Sequence, residues 1–151
     1  MVYLSLGSNM GDREGCLAAA VTLISQEIGH VTAQSDIFET EPWGFTSANA
    51  FLNQALAVET SLPPEEILTI TQHIEREIGR TAKTENGQYG DRLIDIDLLM
   101  YDDMTVCTEK LKLPHPLMTV RRFVLEPLAQ IAPDVVHPVL HITIRELLQN
   151  L

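Results

Sequence analysis

Nine residues, Arg92-Leu93-Ile94-Asp95-Ile96-Asp97-Leu98-Leu99-Met100, constrain this chain more than any other stretch. Ile94, Ile96, Leu98 and Met100 alternate with Asp95 and Asp97, and a period of two is the period of a strand. Apolar residues at both ends predict a buried, central strand. Both carboxylates then leave the same face, with their Cα atoms roughly 6.6 Å apart along the rise. Their oxygens can converge on ions lying between them. Two such charges in low dielectric repel each other and resist the loss of water, so something positive must sit there. Arg92 or another base is one reading, as in a structural ion pair. One or two Mg²⁺ ions are the other, and spacing alone leaves both open.

The charge pattern says where an anion could sit. The 151 residues carry a net charge of −11, which argues against general nucleic-acid binding. Residues 1–79 hold eleven acids and only two bases, Arg13 and Arg76. Arg80, Lys83, Arg92, Lys110, Lys112, Arg121 and Arg122 crowd into residues 80–122. An acidic chain that gathers its bases this way suits a small polyanion, unless the clustering is one of sequence only. The length fits a single domain over residues 1–151. No apolar run approaches a membrane span, and Met1-Val2-Tyr3-Leu4-Ser5-Leu6 enters a strand pattern rather than a signal peptide. Cys16 and Cys107 make no disulfide framework, so a cytoplasmic location is expected.

The remaining segments read as a scaffold of strands and helices. Val2, Leu4 and Leu6 predict a first strand, then Gly7-Ser8-Asn9-Met10-Gly11-Asp12 a turn with Asp12 as N-cap. Leu17, Val21, Ile24 and Ile28 recur at helical spacing and Gly29 supplies a stop. Residues 31–39 predict a second, weakly alternating strand. Residues 40–47 form a loop with Trp43 and Phe45, which covers a flat ligand or folds over the core by its own aromatics. Residues 51–60 predict a third strand with Phe51, Asn53, Ala55 and Ala57 on one face. Phe51 and Asn53 could stack on and read a heterocycle, although a strand Phe is commonly plain core. Pro63-Pro64-Glu65-Glu66 opens a helix with an Ile67, Ile70, Ile74, Ile78 stripe that Gly79 ends, and Gln72 and Glu75 lie on its flank.

Residues 81–91 are polar with two glycines, a long loop suited to a lid over a charged ligand. Beyond the aspartate strand, residues 105–107 and 111–113 suggest a small hairpin. Pro114-His115-Pro116 fixes His115 on a stiffened segment. Thr119 would cap a short helix from about Val120 that Pro127 cuts or kinks, and residues 142–150 predict a terminal helix. His137 and His141 flank Pro138-Val139-Leu140, where no helix pairs them and no acid or cysteine cluster is near, so zinc is disfavoured. There is no glycine-rich phosphate loop, no G-x-G-x-x-G and no protein-kinase signature. General motifs give an anion site beside paired acids and stop there.

The combination is more specific than its parts. Gly7-Ser8-Asn9, Thr40-Glu41-Pro42-Trp43-Gly44, Phe51-Leu52-Asn53, Gln72-His73-Ile74-Glu75, Gly79-Arg80, Asp91-Arg92-Leu93-Ile94-Asp95-Ile96-Asp97, Pro114-His115 and Arg121-Arg122-Phe123 follow in this order. Over nearly its whole length the chain resembles the 6-hydroxymethyl-7,8-dihydropterin pyrophosphokinase family of the folate pathway. The resemblance implies an α+β fold of ferredoxin-like topology, a mainly antiparallel central sheet with helices on its faces. It implies transfer of a pyrophosphoryl group from ATP to the pterin hydroxymethyl oxygen, releasing AMP. Asp95 and Asp97 would then hold two Mg²⁺ ions bridging the ATP phosphates. Arg92, His115 and Arg121 would be phosphate partners, with Arg80, Lys83 and Lys110 as weaker ones. Gln72 and Glu75 would map to the ATP side and Leu98 to the adenine pocket. Phe51 and Phe123 would sandwich the pterin near Asp95, while Asn53 and the loop bearing Thr40, Pro42 and Trp43 would read its hydrogen-bonding edge. The expected state is a monomer with small-molecule substrates and no nucleic-acid or membrane partner.

The chain departs from the family's pattern in three places. The family often has a second arginine after the one matching Arg80, then Trp-Gly-Pro before the one matching Arg92. Here residues 81–91 are longer and end Tyr89-Gly90-Asp91. Phe51 stands where a tyrosine is common, and Pro116 where an aromatic is frequent. Another Mg²⁺-dependent phosphotransferase and a non-catalytic ferredoxin-like binding module are the competing readings.

Overall fold

Alternation makes residues 2–8 a strand, and burial on both sides makes that strand the axis of the molecule. The computed structural model describes residues 1–41, 50–79 and 93–151, together with the backbone of Arg80. In chain order the elements are β1 (Val2–Ser8), α1 (Arg13–Glu27), β2 (His30–Gln34), β3 (Phe38–Thr40), β4 (Phe51–Glu59), α2 (Pro64–Arg80) and β5 (Asp95–Tyr101). A small hairpin, β6 (Val106–Cys107) and β7 (Lys112–Leu113), follows, then a 3₁₀ turn (Met118–Val120), α3 (Arg122–Ile131) and α4 (Ile144–Gln149). The main sheet has the order β2-β4-β1-β5, with β3 also on β4, and these pairings are antiparallel. β1, α1, β2, β4, α2 and β5 give the split β-α-β-β-α-β unit of the ferredoxin-like fold.

Period two sorts the side chains into two layers, except where a register shift between β1 and β5 puts the consecutive Leu99 and Met100 in the same one. Leu4, Leu6, Leu56, Val58, Ile96 and Leu98 meet Leu17, Ile24, Ile67 and Ile74 of α1 and α2. Ala55, Leu99 and Met100 pack instead with Met118, Val124, Leu125, Leu128 and Leu147 beneath α3 and α4. Each fully buried Leu or Ile contributes about 1.5–3 kcal/mol. An exposed ion pair contributes ~0–1 kcal/mol, so the two apolar layers hold the sheet.

Several sequence expectations are corrected. Among the described residues β5 lies at the end of the sheet and not at its centre. Its apolar run reflects cover on both faces, not strands on both sides. β1 runs on through Ser8, so Gly7 is a strand residue and not the start of the turn. The 31–39 strand is broken into β2 and β3. At the break, Ser35 Oγ takes the Ala55 N–H, and the Asp36 N–H donates to Gln130 Oε1 on α3. α2 continues through Arg80, one residue past Gly79. Pro127 lies inside α3 without ending it; it removes only the donor that would meet the Phe123 carbonyl four residues earlier. The cap position of α3 is Arg121, and Thr119 sits within the 3₁₀ turn.

Other local signals hold. Asp12 caps α1 by accepting the Gly15 N–H at 3.0 Å, and Thr143 with Glu146 forms a capping box on α4. The β6–β7 hairpin forms as expected. His137 is buried, and its Nδ1 accepts from the N–H groups of Val139 and Leu140, so its ring serves a turn. No helix among the described residues is long and apolar enough to cross a membrane.

Candidate functional site

Strand register, not distance along the chain, assembles the site. β1 is shared by β4 and β5. Gly7 stands opposite Asp95 on one side and Asn53 on the other, and Ser5 stands opposite Asp97 and Ala55 in the same way. Asp95, Gly7 and Asn53 therefore form one row across the sheet on the α3 face. Two strand spacings separate Asp95 from Asn53 by roughly 10 Å between Cα atoms. The row is close-set in its middle: a Cβ on Gly7 would come 3.4 Å from Asn53 Oδ1 and 3.5 Å from the Phe51 ring, so a glycine there lets both side chains lie against the β1 backbone. At its far end Asn53 Nδ2 donates to Thr40 Oγ1 at 2.6 Å.

α3 brings a cation to the acids. Arg121 immediately precedes this helix and is only 11% exposed; its Nη1 lies 4.0 Å from Asp97 Oδ2. Its guanidinium stands 5.5 Å from the centre of the Phe123 ring, within the range of a cation–π contact. The Pro114–Pro116 segment delivers His115 to the edge of β5 away from β1, where the His115 N–H donates to the Leu99 carbonyl at 2.8 Å. His115 Nδ1 accepts the Leu117 N–H at 3.1 Å, so the neutral ring carries its proton on Nε2. Burial, and then the charge of Arg121, push the His115 pKa below the usual histidine value, while Asp95 opposes them. An imidazole held neutral, a guanidinium and two carboxylates share this corner.

The expected residues fall into three groups. Asp95, Asp97, His115, Arg121 and Phe123 stand at one end of the row, and Thr40, Phe51 and Asn53 at the other. Glu75 reaches the acid strand through its backbone: its carboxylate accepts the Ile96 N–H at 2.8 Å, between the two aspartates. Gln72 is exposed on α2 and Lys110 is exposed in the β6–β7 turn. The Leu98 side chain lies in the α1–α2 core on the opposite face from the acids, 4% exposed, which leaves only its backbone for a ligand. Arg122 pairs with Glu126 at 3.2 Å on the helix surface, so Arg121 and Arg122 are neighbours in sequence only. Pro42, Trp43, Lys83, Arg92, the side chain of Arg80 and the 81–91 loop lie outside the described residues.

Sequence reasoning missed Gly7 and Ser5 as members of the row. A glycine inside an alternating strand pattern often marks a close approach, and that signal was present.

The Glu75 contact gives a direct test. Glu75→Ala should cost about 1.5–3 kcal/mol, the usual scale for a hydrogen bond to a charged group. At about 2–4 °C per kcal/mol for a chain of this size, calorimetry should register the loss. Amide exchange at Ile96 should also accelerate. Unchanged exchange there would mean that the carboxylate does not hold β5.

The sequence model of the 7,8-dihydro-6-hydroxymethylpterin-pyrophosphokinase family matches residues 3–133. A 2-amino-4-hydroxy-6-hydroxymethyldihydropteridine pyrophosphokinase of Porphyromonas gingivalis is 49% identical over 134 residues, covering 88% of this chain and 91% of its own. The Bacillus subtilis protein of the same name is 45% identical over 136 residues, covering 89% and 80%. Among solved structures, wild-type HPPK-DHPS of Plasmodium falciparum matches with a TM-score of 0.78 at 17% identity, over 99% of this chain and 44% of that one. The chain spans less than half of that larger protein, and at this identity the likeness concerns the fold alone.

Proposed function

The chain belongs to the 7,8-dihydro-6-hydroxymethylpterin-pyrophosphokinase family, and from that membership and the row that joins acids and amide we infer how its residues divide the work. It is an ATP-dependent pyrophosphokinase that moves a pyrophosphoryl group onto 6-hydroxymethyl-7,8-dihydropterin in folate biosynthesis. The hydroxymethyl oxygen bonds to the β-phosphorus of ATP. The bond from that phosphorus to the α–β bridging oxygen breaks, AMP leaves with the electron pair, and the hydroxyl proton passes to solvent.

Asp95 and Asp97 fit magnesium by donor type and number. Mg²⁺ takes oxygen ligands and is commonly held by one or two carboxylates plus substrate phosphates. Two partly exposed carboxylates on one strand face suit that pattern. Among the described residues no group of three or more potential ligands could form an all-protein cage. When bound, two ions would neutralise the phosphates and polarise the centre under attack.

The chain's own groups position and exclude. Arg121 sets its charge against the phosphates, and His115 donates to them through Nε2–H. Arg92, with Arg80, Lys83 and Lys110, adds positive charge, and Gln72 and Glu75 line the ATP side. Leu98 serves the adenine through its backbone. Phe51 and Phe123 stack on the pterin. Asn53 spends Nδ2 on Thr40, which leaves Oδ1, on the Gly7 side, to accept from the pterin edge; Pro42 and Trp43 complete that edge. Phosphoryl transfer asks little covalent chemistry of the protein, so positioning and electrostatics carry the rate. One domain over residues 1–151 supplies every group named, so the reading needs no second copy. Cys16 and Cys107 are free thiols, in keeping with a cytoplasmic setting.

The observation that carries this division is the row itself, which joins acids and amide across a glycine. With ATP, Mg²⁺ and the pterin, the protein should release AMP and pterin diphosphate in equal amounts. ADP as product would point to an ordinary phosphotransferase, and binding without turnover to a module that lacks chemistry.

A further inference from the structure

We propose that Arg13 is a positioning residue for the pterin end of the site, locking the start of α1 onto both arms of the β3–β4 hairpin. Its Nη1 donates to the Ala50 carbonyl at 2.9 Å and lies 3.3 Å from Glu39 Oε2. Thr40 and Phe51 form the last pair of the β3–β4 ladder. Glu39 is the residue before Thr40, and Ala50 the residue before Phe51. One guanidinium therefore touches the outgoing arm and the returning arm where the ladder stops. The same two arms carry Thr40, Phe51 and Asn53.

The other end of the link is equally well placed. Arg13 is the first residue of α1, and Asp12 fixes that start as its cap. The turn into α1 leaves β1 directly after Gly7 and Ser8, from the row that joins Asp95 to Asn53. Arg13 thus ties the turn leaving the centre of the row to the hairpin that forms its far end. Both contacts are made by Nη1, which carries two N–H donors, so the link closes at one end of a long side chain fixed to the start of α1.

Magnitudes separate this role from plain stabilisation. The Arg13 side chain is 34% exposed and that of Glu39 61%, and ion pairs in water contribute little to stability. Misplacing a substrate-positioning group by ~1 Å can cost as much as two orders of magnitude in rate. The charge pattern agrees: residues 1–79 hold eleven acids and two bases, and one of those bases is placed here. Glu39 already balances its charge, so a phosphate role is not needed to account for it.

The proposal rests on the reading of Phe51 and Asn53 as pterin contacts, and the test keeps the two apart. Calorimetry measures pterin and Mg²⁺·nucleotide binding to Arg13→Ala, Arg13→Lys, Glu39→Gln and Asn53→Ala, with melting temperature and the KM-against-kcat split for each. Arg13→Ala should weaken pterin binding by about five- to tenfold, a small part of the full misplacement effect, with nucleotide binding and melting nearly unchanged. Arg13→Lys should recover part of the loss. Glu39→Gln should do less harm, because the Ala50 contact remains. If Asn53→Ala weakens pterin binding and Arg13→Ala does not, the Arg13 role is refuted and the site reading stands. If neither variant affects the pterin, the site reading itself falls. A parallel loss of pterin and nucleotide binding with lowered melting would make Arg13 merely structural and would also overturn the proposal.

Discussion

Asp97→Ala should lose turnover by at least ~10³-fold while the pterin end of the site stays formed. Metal assistance in such reactions is worth several kcal/mol, and ~4 kcal/mol is about a thousandfold in rate. The fold should survive. Asp95 and Asp97 share a strand face, so removing one charge relieves repulsion, and the contact given up to Arg121 is a long one at 4.0 Å. Stability then offers a second readout. Wild-type protein should melt higher with Mg²⁺ and a nonhydrolysable nucleotide, because a ligand that binds only the folded state stabilises it. The variant should lose most of that increment yet still bind the pterin. Near-normal turnover would remove the acids from the metal role.

Phe123→Ala should weaken pterin binding by about 1–3 kcal/mol, the range for aromatic stacking on a base, which is roughly five- to 150-fold. Phe123 also packs against the layer beneath α3, so truncation will lower melting as well. Phe123→Leu separates the two effects, since it keeps much of the apolar volume and removes the ring. Both variants should bind the pterin poorly, with Phe123→Leu melting closer to wild type. Nucleotide binding should change less, although the largely buried guanidinium of Arg121 loses the ring 5.5 Å from it, a contact worth about 2 kcal/mol when desolvated. Pterin affinity that is intact in Phe123→Leu would show that the ring supplies volume and no stacking.

What the sequence revealed and what it hid follow from the range of each signal. Alternation in residues 2–6 and 94–98, the isoleucine stripe of α2 and the cap at Asp12 are local, and the structure bears them out, whereas Met100 leaves the alternation at a register shift between β1 and β5. The same alternation misplaced β5, because an apolar period reports cover on the faces and says nothing of neighbours at the edges. The opposition of Gly7 to both Asp95 and Asn53 joins residues dozens of positions apart, and no window of sequence contains that register. Arg121 and Arg122 are alike as letters, yet the first is the extended residue before α3 and the second lies inside its first turn, so they point apart. One of them reaches Asp97 and the other Glu126. Leu98 is the converse: alternation with Asp95 and Asp97 already turns its side chain away from the acids, and the structure buries it there.

The outer margin of β5 has one more consequence. A ribbon that ends a sheet offers bare amides and carbonyls on which another chain can nucleate, and uncontrolled stacking of copies follows. Here Glu75 occupies the amide of Ile96, and the backbone of His115 occupies the carbonyl of Leu99. The groups that flank the acid pair therefore also take up two of the backbone positions that an added strand would need.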